Sequence, residues 1–476
     1  METPTTQNSA SDRPGKWLVF CLVATGVFMS TLDSSIVNIA LPVIMGIFAV
    51  PMSVIEWVPM IYLLTVSSLL LTFGRLSDIR GKRPVYCVGF LIFSIGSLCC
   101  GMSPNASYLI VSRAFQGAGA AMIMACSPAL VVDAFPLSER GRALGMVGTV
   151  VAAGLTTGPA LGGLILEHFS WPVIFYINIP IGIAAATVAA KVLKNIGEAQ
   201  KREPLDLPGA LLLIFCFTSF LMGLAHFHEW GIVSLRTLAS LTVFVASLAC
   251  LAIVETRTRH PIFDPALLRT RLFTLPVLSA VILFVGLFTI TFLMPFYLVH
   301  PMNLPMDSVG AILMIPFFFL FFVAPAAGSL SDRIGSRILC TVGMTLVTLS
   351  LILLSQLRPV APIWDIAWRL SIAGIGIGIF ISPNSAAAMS AVPPNRRGTA
   401  SGAVATARNL GMVIGVALAG LVFNSVFSRL SGAELTVYRP EMRPYFMQSF
   451  QAAMLVGAGS AALGIVVAYL RGKERR

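Results

Sequence analysis

Charge is what this sequence lacks: 11% of its 476 residues are Asp, Glu, Lys or Arg, while 57% are hydrophobic. That balance cannot clothe a soluble enzyme of this length and fits a chain that threads a bilayer repeatedly. Cysteine is sparse and badly spaced for chemistry, since the eight residues at 21, 87, 99, 100, 126, 216, 250 and 340 form no CxxC pair. They lie in or beside apolar runs and read as small hydrophobes, so no disulfide framework, metal site or cofactor is expected. Catalytic motifs are missing too: there is no HExxH, no GxSxG and no pair of intramembrane acids, which argues against a membrane-embedded enzyme. The short HFHE stretch at 226–229 is expected to be a solvated loop. Without a G-x-x-x-x-G-K-[ST] loop, an ATP-driven pump is also excluded. The N-terminal METPTTQNSASDRPGKW has no cleavable signal pattern, so the first helix is expected to stay in the mature protein.

Long apolar runs are what the chain has instead. They recur near residues 17–44, 53–74, 84–103, 107–134, 141–165, 172–194, 207–227, 232–254, 273–299, 307–330, 337–357, 363–390, 398–427 and 447–470, fourteen in all. Each is long enough for a hydrocarbon layer about 30 Å thick. An even number of crossings puts both ends on one side. With the N-terminus inside, 24 Lys and Arg fall in inner segments, six in outer loops, and Arg113 and Arg408 within helices. This asymmetry predicts cytoplasmic termini. The formal net charge of +12 is then a topology signal and an attraction to anionic lipid heads, and requires no nucleic-acid partner.

The plan is duplicated. GRLSDIRGKR at 74–83 matches GSLSDRIGSR at 328–337 in six of ten positions, and RGRALG at 140–145 is echoed by RGTASG at 397–402. The offsets, 254 and 257 residues, are nearly equal. They predict an all-α polytopic membrane protein of two six-helix bundles in parallel repeat, with an extra helix pair between them. The expected divisions are an N-terminal bundle over 1–194, linkers and two inserted helices over 195–260, and a C-terminal bundle over 261–476.

Polar groups inside the apolar runs are the candidate functional residues. Asp33, in LDSSIVNIALP, is the one acid clearly embedded in the hydrophobic depth of the first half. It lies roughly 24 Å along a helix from Trp17 at about 1.5 Å per residue, and Arg113 in the fourth run lies at roughly 22 Å. Acids at such depth usually face a cavity and handle ions or protons, and a matched Arg lowers their cost. Gln116 is one turn from Arg113 and joins the candidate network. Arg408 and Asn409 sit near mid-bilayer in the thirteenth run. Asn38, Thr156, Thr157, Asn178 and Asn384 are candidates to line a cavity, or equally to hydrogen-bond between helices. Aromatics of FFFLFF at 317–322 offer contacts to a flat apolar substrate or to lipid.

Two motifs concern packing and turning. GLTTGPALGG sets Gly154, Gly158 and Gly162 on one bare helix face, beside Pro159 and Gly163. In GRLSDIRGKR, Gly74 and Gly81 suit a sharp turn, and Asp78 suits a helix N-terminus or a basic partner.

Taken with RAFQGAGAA at 113–121 and FYINIPIG at 175–182, these motifs resemble the major facilitator superfamily, specifically its fourteen-helix drug:proton antiporter branch, over nearly the whole chain. The resemblance implies a cytoplasmic latch built from Asp78, Arg83, Asp133 and Arg140 or Arg142, repeated in the second half as Asp332 and Arg337. It implies that helices 1 and 4 are neighbours, so that Asp33 and Arg113 share a site, and that GLTTGPALGG marks exporters. The expected function is proton-coupled export of small amphipathic or hydrophobic compounds by alternating access; the alternative is proton-coupled transport of one metabolite or a lipid-like anion. Pro172 stands where the family commonly has Arg, which removes an outer ion pair, and Asp365 is only at an outer edge, so dications are not expected. A monomer in a bacterial inner membrane is expected, its partners being the substrate, protons and lipid. An accessory periplasmic adaptor stays open.

Overall fold

The computed structural model describes residues 15–136, 139–195, 207–225, 230, 234–257, 269–393 and 397–472. HFHE and most of both linkers around the inserted pair lie outside these. Among the described residues the chain is helical throughout, because a chain in hydrocarbon must satisfy its backbone within itself. The crossings are α1 (Lys16–Phe48), α2 (Met52–Arg80), α3 (Lys82–Gly101), α4 (Ala106–Ala134), α5 (Arg140–His168) and α6 (Val173–Val192). Next come α7 (Leu207–Ala225) and α8 (Leu235–Arg257). The second set is α9 (Arg271–Val299), α10 (Met306–Ile334), α11 (Ser336–Ser355), α12 (Ile363–Ser390), α13 (Arg397–Ser431) and α14 (Arg443–Leu470). Thirteen of the fourteen are long and apolar enough to span a membrane, and α7 contributes a shorter apolar stretch, Leu211–Leu224.

Packing repeats the sequence duplication. α1 packs on α5 and α4 as α9 does on α13 and α12, while α3 packs on α4 and α6 as α11 does on α12 and α14. The two sets meet along two symmetry-related seams, α5 with α10 and α2 with α13. The inserted helices α7 and α8 pack on each other, and α7 leans on the α2–α13 seam. α8 is the most exposed span, with 11% of its apolar window buried.

Both turns of the duplicated loop are made by one glycine each. Gly81 has φ 92° and ψ 147°, and Gly335 has φ 85° and ψ 153°, a region open only to glycine. Gly74 is not at the turn, because α2 continues to Arg80. Asp78 therefore belongs to the last turn of α2 and does not cap α3, whose N-terminus has no side-chain cap.

Candidate functional site

Asp33 on α1 is wholly buried and is met from three sides. From α4, Arg113 Nη1 donates to Asp33 Oδ2 and, at 2.6 Å, to Gln116 Oε1. Gln116 Nε2 donates to Asp33 Oδ1 at 2.8 Å and to Ser97 Oγ of α3 at 2.8 Å. From α6, Asn178 Nδ2 donates to the same Asp33 Oδ1 at 2.9 Å. Arg113 Nε donates to the Val58 carbonyl of α2 at 3.3 Å, and the guanidinium lies 4.1 Å from the Tyr62 ring centre. Five helices thus contribute to one cluster built around a carboxylate whose charge is balanced by one guanidinium. Adding a proton to Asp33 cancels the ion pair and releases an arginine already short of one acceptor, since Arg113 Nη2 has none. A proton at this atom therefore changes how α1 and α4 hold each other.

Beside this cluster is a cavity of about 530 Å³ between the two sets of helices. Its walls include Ser30, Thr31, Tyr62, Phe284, Arg408 and Asn409. Tyr62 is the partition: one side of its environment is the cavity, the other is Arg113, and its hydroxyl donates to the Ser30 carbonyl at 3.1 Å. The cavity reaches exposed Gly145 and Gly148 near the start of α5, on the face where Lys16 pairs with Glu139. The opposite end is shut. There Met52 N–H donates to the Leu435 carbonyl at 3.1 Å, and Met306 N–H to Glu167 Oε2 at 2.9 Å.

The glycine motif explains how that end closes. A Cβ on Gly154, Gly158 or Gly162 would fall 2.1, 2.6 or 2.6 Å from Thr31, Ser35 or Ile39 of α1. Gly163 turns the other way, and a Cβ there would sit 2.4 Å from the Met306 carbonyl of α10. Close backbone approach is the only packing these positions permit.

Family-model matches to the Major Facilitator Superfamily run over residues 23–416 and 277–476. The chain belongs to the Major Facilitator Superfamily. It is thus a multi-pass membrane transporter of a small molecule and not an enzyme. It is 39% identical over 87% of its length to the riboflavin transporter RibZ of Clostridioides difficile, covering 89% of that protein. It is 32% identical to the multidrug resistance protein Stp of Mycobacterium tuberculosis, over 84% of this chain and 75% of that one. To the methylenomycin A resistance protein of Streptomyces coelicolor it is 31% identical over 87% of each. Its fold matches a crystal structure of a bacterial homolog of the human lysosomal transporter Spinster, with a TM-score of 0.67 over 98% of both chains at 13% identity.

In this facilitator the sequence candidates separate into groups. Asp33, Arg113, Gln116 and Asn178 form one hydrogen-bonded cluster. Arg408 lines the cavity instead. Asn38 lies farther along α1 against the α9–α10 side, in a small gap with Pro159 and Phe317. Asn384 does not line the cavity; it accepts from Arg471 Nη2 at 2.8 Å and donates to the Pro276 carbonyl at 3.0 Å. Of the FFFLFF run, Leu320 and Phe321 line the cavity, whereas Phe318 and Phe322 are exposed and do not.

Among the residues expected to form a latch, Asp133 pairs with Lys82 at 2.5 Å, while Arg140 Nε donates to the Phe135 carbonyl at 3.2 Å. Among the described residues no ion pair joins Asp78 to Arg83 or Arg142, and Arg337 stacks over Tyr469 at 4.0 Å while Asp332 is exposed. Asp33 is not the one buried acid of the first half. Glu56, at the start of α2, is also fully buried, against Gly420 of α13. The repeat offset carried a signal for it: Glu56 aligns with Gly310 at 254 residues, and Gly163 with Gly420 at 257.

Proposed function

We propose that this transporter is a proton-coupled antiporter of the drug-exporting type, moving small amphipathic or hydrophobic compounds outward, with both chain ends in the cytoplasm. The observation that carries the reading is the position of Asp33: a buried carboxylate, held by three side chains, Arg113, Gln116 and Asn178, one aromatic ring away from a central cavity. Proton binding at Asp33 loosens the α1–α4 cluster, and through Tyr62 it alters the cavity wall. Rocking about the two inter-set seams then exchanges which end is open. An inward proton movement is worth about 2.3 kcal/mol per charge per 100 mV, enough to drive accumulation against a gradient. The glycine face of α5, and relatives named for drug resistance, support export.

A second reading, transport of one metabolite, is favoured by the 39% identity to a riboflavin transporter. One experiment separates them. Purified protein in liposomes is given an imposed pH difference, with riboflavin and a panel of amphipathic drugs tested as cargo. Proton-driven accumulation of several unrelated drugs supports the exporter; accumulation of riboflavin alone supports the metabolite carrier. Flux indifferent to the pH difference refutes proton coupling in both.

A further inference from the structure

The cavity is electrically lopsided. Of the described side chains that line it, Arg408 is the single charged one, and no described Asp or Glu faces it. Asp33 is outside the wall and already balanced by Arg113. Arg408 Nε and Asn409 Nδ2 are buried and find no acceptor. These are the kinds of group that a folded protein normally satisfies, so two adjacent orphan N–H donors on a cavity wall point to an acceptor supplied from outside the chain.

Three of the hydroxyls nearby are already committed. Ser30 Oγ donates to the Gly26 carbonyl at 2.9 Å, Thr31 Oγ1 to Val27 at 2.8 Å, and Tyr62 to Ser30. Those three hydrogens are spent on backbone carbonyls, leaving only lone pairs toward the cavity. The orphan N–H donors are also confined to one side. Offset by the 257-residue repeat, Arg408 and Asn409 correspond to Val151 and Ala152 of α5, which line the same cavity and are apolar. Phe284, Phe321 and Met412 complete a flat apolar lining.

We infer that Arg408 and Asn409 are the recognition edge for a flat aromatic substrate bearing an anionic or strongly accepting oxygen, such as a carboxylate, phenolate or imide carbonyl, and that the cavity discriminates against permanent cations. This rests on the transport reading above and narrows it. A planar guanidinium suits a two-point contact with such an oxygen group, while the apolar α5 wall takes the aromatic body. A cation of the same shape meets an unneutralised arginine with no acid to offset it.

The test compares two dyes built on one xanthene body, anionic fluorescein and cationic rhodamine 123, binding to the purified protein in nanodiscs by fluorescence anisotropy. Fluorescein should bind at least about ten-fold more tightly than rhodamine 123. Arg408→Gln should remove that preference, and Arg408→Lys, which keeps the charge, should retain most of it; it also stands in if the Gln variant does not insert. Asn409→Leu should weaken fluorescein without improving rhodamine 123. Equal or tighter binding of rhodamine 123, binding of neither dye, or a preference that survives Arg408→Gln overturns the inference. Transport is read separately on the same preparations: anion preference without proton-driven flux would sink the antiport reading and leave the recognition edge standing.

Discussion

Glu56 and Gly420 meet where the two sets of helices close: the carboxylate lies so near the bare Cα of Gly420 that a Cβ built there would be 1.6 Å from Oε2. At the symmetry-related seam, Gly310 and Gly163 meet backbone to backbone, with a Cβ on either within 3.0 Å of the other's Cα. One seam is glycine on glycine; the other is acid on glycine. Departures from the repeat mark what the two halves do differently, because packing alone would be served by two alike seams.

That contact makes a specific demand on position 420. Gly420→Ala should reduce transport by about ten-fold or more at matched expression, because the new methyl wedges the α2–α13 seam where the opposite end shuts. Removing the obstructing side chain should relieve the clash, so Glu56→Ala combined with Gly420→Ala should melt at a higher temperature than Gly420→Ala alone. A double variant whose stability loss is the sum of the two single losses would show that the residues do not couple.

Gly158→Leu should insert normally yet abolish transport. Its Cβ would be 2.6 Å from Ser35 and 3.0 Å from the Ile36 nitrogen, so a leucine must push α5 off α1. Wild-type flux at equal expression rejects this role for the glycine face.

His300, just beyond the end of α9, lies between Tyr438, stacked at 5.0 Å, and Phe296, with Phe446 edge-on. Burial lowers its pKa from 6.5 to about 4. The folded protein therefore holds it neutral while the unfolded chain protonates near 6.5, so its stabilising contribution is intact above that pH and is lost as pH falls toward 4. The loss is on the order of 3 kcal/mol at most, at about 1.4 per pKa unit. Melting temperatures of wild type and His300→Phe, measured from pH 7 to 4, should converge or cross as the pH falls. Parallel curves would mean that His300 does not titrate in this window.

Much of this architecture was legible in the sequence. The fourteen apolar runs coincide with fourteen helices, and the 254-residue echo became the paired turns at Gly81 and Gly335. Equal depth made Asp33 and Arg113 possible partners, and the resemblance, which implies that helices 1 and 4 are neighbours, put them in one site. Lateral position was not legible: a polar residue's depth can be counted along a helix, but the direction it faces depends on packing. Asn38, Asn178 and Asn384 looked alike as intramembrane asparagines. Only Asn178 reaches Asp33, since α6 packs on α1 and α3, whereas Asn384 is taken by Arg471 from the end of the chain. Tyr62 escaped notice because an aromatic in an apolar run has no signature until its neighbour is known to be Arg113.

The orientation proposed here is also open to direct test. With the native cysteines replaced, a single Cys at Glu434, an exposed position beside the shut end, should react with an impermeant reagent added to intact cells. One at Lys194, exposed at the other end, should resist it. The reverse pattern inverts the topology and with it the direction of export.

Asp33→Asn bears most directly on coupling. The amide keeps the size of the carboxyl and can still accept from Gln116 or Asn178, but it removes the proposed proton carrier and leaves Arg113 without its counter-charge. Breaking a buried pair in this way costs about 3–5 kcal/mol, so expression and melting temperature must be compared before flux is read. Asp33→Asn with Arg113→Gln restores neutrality to the cluster and controls for that loss. Both variants should bind substrate, because Asp33 is not in the cavity wall. Neither should accumulate it in liposomes when only a pH difference is imposed, although passive exchange down a substrate gradient should persist in the double variant. If either variant still concentrates substrate under a pH difference alone, the proton is carried elsewhere, and Glu56 is the next buried carboxylate to examine.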